Sequence, residues 1–273
     1  MIVLGFDTAT RSTAVALRPQ DGRTLQARDD PGTSEHPGHA TRLLAMADEL
    51  LGSAGIGWSA IDRIAVGLGP GTFTGLRVGI ATARGLAQSL SVDLAGVSSL
   101  RALAEPALRS DMDGSHHVLA VLDARRGEAF AAAYEMADRG SAEELVSPRA
   151  LAPEDLGGVV EQAETVIGEE QGRRWQAIGD GAVRFRGDLQ AAGIVVPPDS
   201  SPLHLLSAEA ICDLGARAEA VALAETIVPD YRRRPDAEIA LEHKQALALA
   251  QLSDGSPTQG ECPAVTEPFT PRP

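Results

Sequence analysis

The stretch Gly67-Leu68-Gly69-Pro70-Gly71-Thr72-Phe73-Thr74-Gly75-Leu76-Arg77-Val78-Gly79 constrains this chain more than any other. Glycines at 67, 69 and 71 open backbone angles closed to other residues, and Thr72 or Thr74 is placed to cap a following helix. That helix reads from about residue 74 to 90, with Gly75, Gly79, Ala83 and Ala87 at steps of four. Four small residues on one stripe permit close backbone approach, and each interior glycine costs roughly 1 kcal/mol relative to alanine. Something must offset that cost. Either the stripe packs on the molecule's own sheet, or its edge docks on a helix of another chain, with Leu76 and Ile80 supplying apolar area beside it. An anion cradle is the third reading of a strand, tight turn and helix N-terminus. A P-loop needs a Lys-Ser/Thr pair after its last glycine, and the dinucleotide fingerprint needs a differently spaced third glycine, so the turn is better read as structural.

The elements around this stretch follow from periodicity. Apolar runs at 2–6, 13–17 and 24–28, separated by polar turns, predict three meandering strands. From His39, the positions Ala40, Leu43, Leu44, Ala47, Leu50 and Leu51 follow helical spacing, with Gly52 and Gly55 as stop signals. Strands at 61–67 and 94–97 complete a βββαβα unit. A strand at 118–122 then runs into Asp123 as the first runs into Asp7, an offset of 116 residues, and a polar turn with arginine follows each aspartate. The chain therefore reads as a duplicated α/β protein: an N-terminal lobe at 1–100, a C-terminal lobe at 101–235, and an extension at 236–273 that is proline-rich near its end and expected to be disordered. A length of 273 residues accommodates about two domains.

Charge narrows the function. The net charge is −14, but it is uneven: residues 1–100 carry −1 and residues 101–273 carry −13. Such a chain does not grip nucleic acid phosphates by itself, and the nearly neutral first lobe is the easier one to desolvate in a protein contact. Two cysteines, Cys212 and Cys262, support neither a disulfide framework nor a thiolate zinc site. No apolar run approaches a membrane span and the start lacks a basic leader, so a cytoplasmic protein is expected.

Candidate chemistry is sparse. Asp7-Thr8-Ala9-Thr10 could hold a metal-bound phosphate, as in a small-molecule kinase or ATPase, although Asp and Thr here more often bond backbone amides in a turn. After Asp123 come Ala124, Arg125 and Arg126, where an active phosphotransferase of duplicated type would carry a glycine-rich hairpin. Gly157-Gly158 and Gly179-Asp180-Gly181 are the candidates for an adenosine loop, and both read as ordinary loops. His36 and His39 flank Pro37-Gly38 without a third ligand, so no metal site is expected and His39 opens the helix or lies on its exposed face. His116-His117 reads as turn or surface, and Arg232-Arg233-Arg234 beside Tyr231 as a solvated chain end.

The segment from Gly69 through Gly79 to Ala83-Arg84-Gly85-Leu86-Ala87, followed by Val97-Ser98-Ser99-Leu100, resembles the hallmark of the TsaB (YeaZ) family. Asp7-Thr8, His39 before Leu43-Leu44, Asp123-Ala124-Arg125-Arg126-Gly127-Glu128, Ser147-Pro148 and Gly179-Asp180-Gly181 are similar as well. The likeness extends over about residues 1–235 and departs from the family pattern at Arg232, where leucine is usual. It implies an actin-like, sugar-kinase-like (ASKHA, RNase H-like) fold of two related lobes with mixed sheets, and no catalytic residues or cofactor of its own. It also implies a heterodimer with the catalytic paralog TsaD through N-lobe helices, with ATP and metal on partner subunits including the ATPase TsaE. The assembly would transfer a threonylcarbamoyl group to N6 of adenosine 37 in ANN-decoding tRNAs; an apolar stripe left exposed without the partner would also allow the isolated chain to form a homodimer, and the sequence leaves homodimer and monomer open. On this reading His39, Leu43, Leu44, Ala47, Gly75, Leu76, Gly79, Ala83 and Ala87 meet the partner, and Asp7, Thr8, Gly69, Gly71 and Asp123 mark a vestigial nucleotide site.

Overall fold

The computed structural model describes residues 1–20, 22–32, 34–110, 117–137, 142–168, 173–219 and 227–232. Strands β1 (Val3–Asp7), β2 (Thr13–Arg18) and β3 (Leu25–Asp29) form an antiparallel meander. Helix α1 (His39–Ala54), β4 (Arg63–Gly67), α2 (Phe73–Leu90) and β5 (Asp93–Val97) follow. β4 pairs in parallel with β1 and β5 with β4, which gives the sheet order β3-β2-β1-β4-β5. Every residue of β1 and β4 is buried, as strands covered on both faces require.

The second half repeats the plan. After α3 (Ser99–Arg109), β6 (His117–Arg125), β7 (Glu128–Met136) and β8 (Ala142–Leu151) run antiparallel, and β9 (Trp175–Ile178) adds in parallel beside β6. The order is β8-β7-β6-β9. A fifth strand shrinks to one residue: the Val195 N–H donates to the Trp175 carbonyl at 3.0 Å, and its carbonyl accepts from Ala177 at 2.8 Å. Asp7 ends β1 and Asp123 lies near the end of β6, so the expected duplication holds down to the aspartates. Gly157 and Gly158 fall in the first turn of α4 (Leu156–Ile167), and Gly179 precedes the short helix α5 (Asp180–Arg184), so neither glycine pair is a free loop. His117 is half-buried within β6, against the Trp175 ring at 5.2 Å, instead of on a turn; His116 lies outside the described residues.

The helices do not stay with the half that encodes them. α1 and α2 cover one face of the first sheet. Its other face is covered by α7 (Ala208–Arg217), which follows α6 (Arg186–Ala191) near the end of the described chain. α3, encoded beside the first lobe, covers the second sheet and also meets α7; α4 and α5 cover that sheet's far side. Small residues permit the close fit of α7. A Cβ on Gly5 would come within 2.6 Å of the buried Cys212 sulfur, and one on Gly215 within 2.4 Å of the Ala65 Cβ. Arg63 fastens the end of the helix, donating to the Gly215 and Ala218 carbonyls at 3.0 and 2.9 Å while pairing with Asp93 at 3.1 Å. Met1–Arg233 hold together as one compact unit; the extension at 236–273, with Cys262, lies outside the described residues.

Two local expectations need correction. Gly52 does not stop α1, which runs to Ala54 and ends where Gly55 takes φ 68° and its N–H bonds back to the Gly52 carbonyl. Thr72 occupies the N-cap of α2 without a side-chain cap bond.

Candidate functional site

The turn after β1 and the glycine run after β4 are two halves of one packed joint. Asp7 is 2% exposed, and its Oδ1 accepts from the Ala9 N–H at 2.6 Å while its Oδ2 accepts from the Ser99 hydroxyl at 2.6 Å. Burial pushes its pKa up to about 6 despite both bonds. The glycines are small because this hairpin lies on them. A Cβ at Gly67 would sit 1.7 Å from the Asp7 Oδ2, one at Gly71 2.4 Å from the Ala9 carbonyl, and one at Gly75 2.0 Å from the Thr8 carbonyl. At Gly79 it would meet the Thr8 hydroxyl at 2.3 Å. That hydroxyl donates to the Gly75 carbonyl at 2.8 Å, where an amide partner was expected.

The same joint engages three amides of the glycine run. Thr72 N–H donates to the Ala9 carbonyl at 2.7 Å, Leu68 N–H to Val97 at 2.8 Å, and Gly69 N–H to the Ser99 hydroxyl at 3.1 Å. Gly69 and Gly71 thus serve the turn, Gly69 through φ 100°. At the second hairpin, Asp123 takes the Arg125 and Arg184 guanidinium groups on one oxygen at 3.1 and 2.8 Å, and the Arg125 N–H on the other at 2.8 Å. A nucleotide bound through magnesium does not fit either place: one carboxylate is sealed, and the other is already neutralised by two arginines.

The partner-binding set is rearranged by the fold. Eight of its nine members, His39, Leu43, Ala47, Gly75, Leu76, Gly79, Ala83 and Ala87, are buried in their own lobe, and only Leu44, at 46% exposure, faces out. The inward stripe therefore receives the chain's own hairpin and sheet, and cannot seat a foreign backbone. His39 does open α1 but points inward, its Nδ1 at 2.9 Å from the Thr13 hydroxyl, and burial lowers its pKa. A second row of small residues lies on the outward side of α2, where Thr74, Ala81, Gly85 and Ser89 are exposed. Nothing lies within 4 Å of a Cβ built at Gly85 or at the exposed Gly52 of α1. Neither glycine meets a neighbour that would require it to be small.

One element escaped the sequence reading entirely. Residues 227–232 run back across α2: Ile227 enters the core, its carbonyl accepts from Arg84, and the Asp230 N–H donates to the Leu68 carbonyl at 2.8 Å. Tyr231 lies 5.3 Å from the Phe73 ring and accepts from Arg77 at 3.0 Å. Arg232 is exposed, as expected, and also pairs with Asp230 at 2.6 Å, while Arg233 and Arg234 lie outside the described residues. The isolated Pro229-Asp230-Tyr231 run carries no periodicity that could have revealed this strap.

Two lobes with the strand plan βββ–α–β, each placing an aspartate at its first hairpin, define an actin-like, sugar-kinase-like α/β protein. Residues 33–171 match the family model for TsaD, tRNA N6-adenosine threonylcarbamoyltransferase. The chain belongs to the TsaB (YeaZ) family. It is 33% identical over 235 residues to the tRNA threonylcarbamoyladenosine biosynthesis protein TsaB of Escherichia coli, covering 85% of this chain and 95% of that one. The TsaB of Bacillus subtilis is 27% identical over 241 residues, covering 87% and 96%. The solved structure of YeaZ from Pseudomonas aeruginosa superposes with a TM-score of 0.66 at 32% identity, over 84% of this chain and 99% of that one. Among the described residues no helix is long and apolar enough to cross a membrane.

Proposed function

We propose that this chain is a non-catalytic subunit in the synthesis of threonylcarbamoyladenosine on tRNA, docking on a TsaD-type catalytic paralog. The paralog would carry the transfer to N6 of adenosine 37 in ANN-decoding tRNAs, with the ATPase TsaE in the assembly and ATP and metal held on those partners. Membership of the TsaB family supports the pathway. The sealed Asp7 and the arginine-paired Asp123 support a subunit without chemistry of its own over a kinase.

One observation carries the docking reading. Gly85 in the interior of α2 and Gly52 in the last turn of the neighbouring α1 are exposed with open space above them. Gly85 costs roughly 1 kcal/mol relative to alanine, and the fold itself gains nothing from it. Leu44 lies exposed on α1, so the outward faces offer apolar area beside small residues, which suits a helix pair of another chain. The same face would serve a homodimer when the partner is missing.

The test separates docking from folding. Gly85→Ala is expected to raise the melting temperature by a few degrees, because a methyl there meets nothing. Gly85→Trp and Leu44→Glu should weaken binding to the TsaD-type subunit at least about tenfold in calorimetry, with melting within about 2 °C of the parent. Unchanged affinity in both would refute the proposed face.

A further inference from the structure

At the start of α2 an exposed arginine is held in place on two sides. The Arg77 guanidinium lies 3.6 Å from the centre of the Phe73 ring, and its Nε donates to the Tyr231 hydroxyl at 3.0 Å. Tyr231 comes from the strap, and its own ring packs at 5.3 Å against Phe73. The clamp therefore joins the first turn of α2 to the strap, which is itself fixed where the Asp230 N–H donates to the Leu68 carbonyl at 2.8 Å. Phe73, Arg77 and Tyr231 are all exposed.

The clamp leaves one end of the guanidinium over. Among the described residues Nη1 and Nη2 of Arg77 make no hydrogen bond and no ion pair. Arg18, Arg28, Arg42 and Arg63 of the same lobe each hold an aspartate. An arginine with its face and its Nε taken presents the remaining fork of donors, which matches the two oxygens of a carboxylate. Its rotamer freedom is already lost in the free chain, so a ligand does not bear that cost again. The position is also telling. Phe73, Arg77, Ala81 and Gly85 follow one another at steps of four and are all exposed, so they share the outward side of α2. The clamp thus heads the face assigned above to the TsaD-type subunit.

Resting on that docking reading, we propose that Arg77 receives an aspartate or glutamate side chain of the TsaD-type subunit. Phe73 and Tyr231 are the aromatic anchors around the pair, and Tyr231 is the positioning residue that sets the fork. Arginine and tyrosine anchors ringed by neutral contacts are the residue types that dominate binding energy at protein interfaces. An RNA phosphate suits the same fork less well, because backbone phosphates are held by several basic groups together. Here the strap brings an acid, Asp230, and pairs it with its own Arg232 at 2.6 Å.

Calorimetric titration of the full chain with the TsaD-type subunit tests the contact. Arg77→Gln should weaken binding about ten- to a hundredfold, as loss of a charge-assisted pair does. Arg77→Lys keeps the charge without the fork, and its affinity should fall between the two. Tyr231→Phe keeps the ring and removes only the acceptor; it should weaken binding about three- to tenfold in the parent and not at all in the Arg77→Gln background. Melting of each variant should stay within about 2 °C of the parent. If Gly85→Trp weakens binding and Arg77→Gln does not, the contact is overturned and the docking face stands. If Arg77→Gln weakens binding and Gly85→Trp and Leu44→Glu do not, the contact stands and the face as drawn falls. An equal effect of Tyr231→Phe in both backgrounds would overturn its positioning role. Normal binding of the Arg77→Gln subunit, with a loss of tRNA affinity in the assembly, would overturn the proposal in favour of a phosphate.

Discussion

Replacing Gly75 with alanine is expected to destabilise the protein by about 3 kcal/mol or more, even though alanine is the better helix former by roughly 1 kcal/mol. The reason is the 2.0 Å approach of the new Cβ to the Thr8 carbonyl, with the Thr72 hydroxyl at 2.6 Å. The nearest atom is backbone, so it cannot swing aside as a side chain would. Relief requires the hairpin after β1 to lift, and that hairpin carries Asp7, whose two bonds are made with Ala9 and Ser99. Denaturant midpoints of Gly75→Ala and Gly85→Ala should therefore move in opposite directions on the same helix. Equal and small effects would mean that α2 does not rest on the hairpin as described.

Asp7→Asn is expected to stabilise the protein at pH 8, by up to about 3 kcal/mol, and to change little near pH 4. Burial sets Asp7 at about 6 in the fold against 3.8 as the ordinary value. A group whose folded pKa lies above its unfolded one favours the fold fully below the unfolded value, and that advantage disappears as pH rises through the folded value. Between about pH 4 and 6 the parent therefore loses stability through this carboxylate, and above pH 6 it holds a buried charge. The amide keeps an oxygen for the Ala9 N–H and can donate to the Ser99 hydroxyl oxygen, without the charge. Isothermal denaturation of parent and variant at pH 4.5 and pH 8 measures the difference. A variant less stable than the parent at pH 8 would show that the ionised carboxylate is held favourably, as a ligand-binding acid would be.

The first lobe was largely legible because its signals are strong and local. β1, β2, β3, α1, β4, α2 and β5 fall within about three residues of their expected bounds, each marked by a clear period and a turn. The small-residue stripe was equally visible, but its partner was not. Spacing at 75, 79, 83 and 87 announces that a backbone comes close; it carries no information about which backbone, and here it is the chain's own hairpin and sheet. The resemblance to the family gave the lobes and the pathway, yet placed the contact on the inner side of the helices. In the second lobe β8 alternates weakly, and α4 opens on two glycines, so both lacked a readable period.

The exchange of α3 and α7 between the two sheets has a consequence for any attempt to halve the gene. A polypeptide cut near residue 110 would leave the first sheet without α7 and the second without α3, each exposing a broad greasy surface to water. Two fragments produced separately should precipitate, and the same fragments made together should reassemble. The ancestral doubling is thus locked in: neither copy retains the means to live apart.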